Sequence, residues 1–154
     1  MLKVFILLVG FAVTGASCLN STSVTEYTDE PIEVQVGEAQ FSTIIRDDAF
    51  ERAKGLSGTG ALQDDEAMLF IFSGPDRQSF WMKDMNFSLD FLWIRDGAVI
   101  GIDEGVLHPD ANDGKTARVG SPGPVDMVME LNAGRVQALG IKKGDEVVLG
   151  QVSK

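Results

Sequence analysis

The sequence predicts a mainly β, compact sandwich- or barrel-like single domain with two short helices. Three observations carry this. Seven or eight short apolar or alternating runs are spaced along the chain, turn residues separate nearly all of them, and 154 residues is the size of one domain with a real core. A hydrophobic content of 44% and a charged content of 23% fit a globular protein rather than a disordered one.

Met1-Leu2-Lys3, the apolar run Val4 to Val13 and the small residues Thr14 to Ser17 have the build of a secretory signal peptide over residues 1–17. The run is too short for a membrane span, which needs about 20 apolar residues. Cys18, the only cysteine, follows Gly15-Ala16-Ser17, which resembles a lipobox with Gly15 where leucine is usual. The reading is therefore export followed by lipidation at Cys18. Ordinary signal-peptidase cleavage and an uncleaved anchor are the alternatives. Residues 18–30, rich in Ser, Thr and acids, read as the lipidated cysteine and a flexible tether. The folded domain spans 31–154, and one cysteine excludes an intrachain disulfide.

Ile32, Val34 and Val36 alternate with Glu33 and Gln35, a half-buried strand, and Gly37-Glu38 turns into a second strand over Ala39 to Arg46. Asp47-Asp48 can cap a helix through Lys54, with Gly55 to end it. Gly55 to Gly60 is a helix stop, since it has neither the Gly-Lys-Ser/Thr of a phosphate loop nor a Gly-x-Ser-x-Gly elbow. Met68 to Phe72 reads as a core strand, and Ser73-Gly74-Pro75-Asp76 as a turn.

Residues 80–94 then hold both tryptophans, three phenylalanines, two methionines, one lysine and two aspartates. This stretch reads as a central hairpin or corner with Lys83 and Asp90 paired across it. Asp96-Gly97 predicts a type I′ hairpin between Leu89–Arg95 and Ala98–Ile102. Residues 103–124, with four glycines and three prolines, read as a long surface loop. A strand over Val125 to Leu131, a helix over Ala133 to Leu139 closed by Gly140, and a last strand over Glu146 to Val152 complete the chain.

Phe80-Trp81-Met82-Lys83 followed by Leu89-Asp90 resembles the signature of the DUF192 (UPF0127) family, with further similarity at Arg52, Gly55-Leu56 and Met68 to Phe72. Downstream the resemblance takes in Glu130 to Gly134, Gly140-Ile141 and Gly144-Asp145, and so nearly all of Pro31 to Lys154. It implies a compact, mainly β sandwich-like domain, often behind a signal sequence, and no established activity. Asp84 stands where the family usually has Asn, Ser88 where Pro is common, and Ala67 where Gly is usual.

The net charge of −10 repels phosphate backbones and argues against a nucleic-acid partner. No cofactor motif is present. His108 is the lone histidine, placed in an exposed loop, and Asp110 to Gly114 fails the calcium-loop spacing, so no metal site is expected. No catalytic constellation is assembled: nothing positions Ser57 and His108 as a triad. The preferred reading is an extracytoplasmic, membrane-tethered binding or accessory domain, with Trp81, Lys83, Asp90 and Glu130 lining a site for a small ligand or envelope glycan. One alternative is an envelope polysaccharide hydrolase using Asp90 and Glu130, with Trp81 as a sugar platform. The other is a structural or protein-interaction domain in which Lys83 and Asp90 are only a staple.

Overall fold

The computed structural model describes residues 30–150. The expected signal peptide, Cys18 and nearly all of the tether lie outside the described residues. The elements are β1 (Ile32–Val36), β2 (Ala39–Arg46), α1 (Ala49–Lys54), β3 (Glu66–Asp76), β4 (Ser79–Trp81), β5 (Leu89–Arg95), β6 (Ala98–Val106), a 3-10 turn (Pro109–Ala111), β7 (Arg118–Gly120), β8 (Val125–Asn132), α2 (Arg135–Leu139) and β9 (Val147–Leu149).

Seven strands form one sheet in the order β6-β5-β8-β3-β2-β1-β9, antiparallel except for the β2–β3 pair. The sheet curls into a half-barrel. Its two ends meet at one corner, where Val99 N–H donates to the Asp145 carbonyl at 3.0 Å and Val147 N–H to that of Gly97 at 2.8 Å. A mainly β, single compact domain with two short helices is therefore the observed architecture.

Each face of the sheet has its own apolar layer. One draws on all seven strands, through Val34, Phe41, Leu69, Leu92, Val99, Met129 and Val147 among others, and takes in Val136 of α2. The other is narrower, built on Met68 and Phe70 of β3, Phe91 and Trp93 of β5, and Val128 of β8. Over this second layer lies a separate two-stranded ribbon, β4–β7, with Leu56, Met82 and Met85 packed beside it. Because β5 is covered on both sides, its residues Leu89 to Ile94 are all buried. Such a strand shows no alternation, only a continuous apolar run broken by Asp90.

Local rules explain several boundaries. The Asp48 carboxylate caps α1 by accepting from Glu51 N–H at 2.8 Å, and Gly55, at φ +47°, turns the chain out of the helix. Asp96 (φ +51°) and Gly97 (φ +73°) both adopt the left-handed backbone that a type I′ turn needs.

Four expectations need correction. Ser73 to Asp76 do not turn: β3 runs on through them, exposed, with its register to β8 broken between Ile71 and Asp76. A strand tolerates Pro75 there because the missing N–H falls in an irregular stretch. Residues 80–94 are not a hairpin either, for β4 pairs with β7 (Trp81 opposite Arg118) while β5 pairs with β6 and β8. The supposed loop 103–124 contains the end of β6, the 3-10 turn and β7. Finally, β9 spans only Val147–Leu149 among the described residues.

Candidate functional site

In β4 the pleat sends successive side chains to opposite sides. Phe80 points inward, its ring 4.9 Å from that of Phe70, 5.7 Å from Phe91 and 6.0 Å from Trp93. Trp81 consequently faces outward and is 48% exposed. Cross-strand pairing sets the Arg118 guanidinium 4.9 Å from the indole centroid, and Lys83 Nζ lies 5.5 Å from it. Two cations thus attend one exposed aromatic ring, each contact worth about 0.5–1 kcal/mol at such a site.

Lys83 does not pair with Asp90. Its ammonium is 4.0 Å from the Asp84 carboxylate, with both side chains more than half exposed, so the pair adds little stability. Asp90 is fully buried and accepts from Gly105 N–H at 2.8 Å and Val136 N–H at 3.0 Å. The second bond serves the first turn of α2, whose N-cap residue, Gly134, has no side chain to offer. A strand carboxylate therefore caps a helix that cannot cap itself. The expected Lys83–Asp90 staple is therefore absent: the partners of Asp90 are backbone amides and not a lysine.

Glu130 lies on the other face. In the β5–β8 register Phe91 is opposite Glu130 and Asp90 opposite Leu131. Adjacent residues of a strand point to opposite sides, so the sheet separates the two carboxyls. They cannot flank one glycosidic bond, and the hydrolase reading built on them fails.

What Glu130 does face is a pocket of about 310 Å³. Leu56, Phe70, Phe72, Phe80 and Met85 contribute apolar wall, Trp81 lines it too, and Arg52 and Lys54 bring positive charge from the end of α1. Gly55 brings the loop after α1 down onto the wall, where a Cβ would sit 3.3 Å from Phe70 Cζ. Glu130 is the one acid among the lining residues, and its Oε2 is buried with no hydrogen-bond partner. Burial pushes its carboxyl up to about 8, so it holds its proton at neutral pH. The arrangement offers an apolar slot with a neutral carboxylic acid able both to donate and to accept a hydrogen bond.

Of the four residues singled out in the sequence, the structure thus brings Trp81 and Glu130 to one pocket, leaves Lys83 beside Trp81, and sends Asp90 elsewhere. Sequence reasoning missed Arg52 as part of the site. Its guanidinium donates to the carbonyls of Asp47 and Ile71, the latter at 3.0 Å, and lies 5.2 Å from the Phe72 ring centroid. An arginine one turn before the glycine that ends a helix was the available signal. His108 is half-buried rather than exposed, with Nδ1 3.1 Å from Ser88 Oγ. Among the described residues no group of three or more His, Cys, Asp or Glu could hold a metal ion, and no helix is long and apolar enough to cross a membrane.

Residues 32–149 match the DUF192 family, described as "Uncharacterized ACR". Two solved structures resemble the chain. A protein of unknown function from Novosphingobium aromaticivorans is 29% identical, with a TM-score of 0.70 over 77% of this chain and 84% of that one. A Sinorhizobium meliloti protein, provisionally described as a transcription regulator, is 29% identical with a TM-score of 0.72 over 80% and 97%. No curated protein matches the chain.

Proposed function

The chain belongs to the DUF192 family, and from that premise we propose that it is a binding module for a small molecule, seated over Glu130. The observation that carries this is the Glu130 carboxyl: buried, without a partner on Oε2, and lining a pocket otherwise walled mainly by apolar side chains. A buried polar group left unpaired costs about 1–3 kcal/mol, and a ligand that pairs with it recovers that cost. A few convergent polar groups in an apolar cleft are the usual make-up of a small-ligand site.

In this reading the module works outside the cytoplasm. The signal-like residues 1–17 direct export, Cys18 carries the lipid, and residues 19–30 hold the domain off the membrane. With a net charge of −10 the chain is repelled by nucleic acid, so this reading includes no DNA binding.

The test is a thermal-shift screen of the full chain against a fragment library, repeated with Glu130→Leu and Trp81→Ala. Fragments that stabilise the parent protein are expected to lose their effect in the Glu130 variant, which removes the polar contact and keeps much of the volume. Hits that survive both substitutions would place binding elsewhere and overturn the assignment. For the anchor, metabolic labelling with a fatty-acid analogue should tag the parent chain and not Cys18→Ala.

A further inference from the structure

We infer that the pocket selects ring-sized organic anions, aryl or alicyclic carboxylates that also bear a hydroxyl or carbonyl group, held with the neutral tip against Glu130 and the carboxylate at the mouth. This rests on the small-ligand reading above and adds the chemical class. Charge placement is the first ground. The chain carries 23 acids against 13 Lys and Arg, yet the charged groups that line the pocket besides Glu130 are Arg52 and Lys54. The exposed indole on the same pocket is attended by Lys83 and Arg118, with Asp84 the one acid paired there. A positive mouth on an acidic protein draws anions to a place the rest of the surface denies them.

The second ground is the chemistry of the lining. Phe70, Phe72, Phe80, Leu56 and Met85 line the same pocket as Glu130, beside the neutral Ser57, Gln78 and Ser79, so a flat, mainly apolar body is suited to it. At Glu130 a neutral carboxylic acid matches a hydroxyl or carbonyl, because one carboxyl can donate to such a group and accept from it. An ammonium is the competing class: Glu130 would release its proton to water and form a buried ion pair with it. It would do so in a pocket whose other charged lining groups, Arg52 and Lys54, are both cations.

The test is a nuclear magnetic resonance titration of the full chain with 4-hydroxybenzoate, phenol and tyramine, read at the Gly55 and Leu56 amides and the Trp81 indole. 4-Hydroxybenzoate is expected to bind tightest and tyramine weakest. The double variant Lys83→Met/Arg118→Met is expected to weaken 4-hydroxybenzoate about three- to tenfold, as removal of two partly exposed charges does, and to leave phenol unchanged. Tightest binding by tyramine, or an unaltered affinity for 4-hydroxybenzoate in the double variant, would overturn the anion class and leave the pocket standing. If none of the three probes moves these signals, the pocket reading itself falls and takes this inference with it.

Discussion

Replacing Glu130 with glutamine is the sharpest probe of the buried carboxyl. In the unfolded chain the group gives up its proton above 4.5, whereas in the folded protein burial holds the proton to about 8. Between these values the folded state carries the extra proton, so stability falls as pH rises; above about 8 both states are ionised and the loss stops. Each pH unit costs about 1.4 kcal/mol, so the whole window amounts to about 5 kcal/mol as an upper bound. Glutamine has nearly the same shape and does not titrate. Urea unfolding of both proteins from pH 5 to pH 9 isolates the effect, because all other groups cancel in the difference. Near pH 5 the two are expected to be similarly stable, and by pH 8 the variant is expected to be more stable by several kcal/mol. A difference that stays constant to within about 0.5 kcal/mol, the scatter of ordinary surface changes, would refute the buried neutral acid.

The remaining predictions concern the frame around the pocket. Asp90→Ala strands the buried N–H of Val136, at about 1–3 kcal/mol, and removes the partner of the exposed Gly105 N–H, so hydrogen exchange at the Val136 amide is expected to accelerate most. Asp84 sits at φ +57°, so Asp84→Val is expected to cost about 1–2 kcal/mol in thermal denaturation while Asp84→Asn costs nothing measurable. Gly101→Ala puts a methyl 2.7 Å from Pro122 Cγ and 3.0 Å from Trp93 Cδ1. Overpacking of this kind costs about 1–3 kcal/mol, checked by denaturant titration followed on tryptophan fluorescence.

What the sequence revealed and what it hid divide along the line between local and distant causes. The alternation of Ile32, Val34 and Val36, the Asp48 cap and the Asp96-Gly97 turn are each governed by neighbours a few residues away, and each was readable. The β4–β7 ribbon was not: nothing in Ser79–Trp81 announces that its partner is Arg118–Gly120, beyond β5 and β6. Alternation did place Asp90 on the face of Leu92 and Ile94. It could not name Gly105 and Val136 as partners, since every residue but proline owns an N–H and so none is marked by it. Lys83 was the visible opposite charge and drew the pairing wrongly. Asp84 is instructive in the other direction. Its backbone is left-handed, a conformation that Asn and Asp adopt more readily than most residues, and its carbonyl accepts from Gly58 N–H at 2.8 Å.

The corner where the half-barrel's ends meet has a consequence for the order of folding. β1 lies between β2, which follows it directly, and β9, which is more than a hundred residues away. The edge of β6 likewise waits for the segment around Asp145. During synthesis the first strand is therefore exposed along one side until nearly the whole domain has been made, and closure of so long a loop is slow. A chain cut before β9 would leave that β1 edge without its partner strand, open to pairing with another chain.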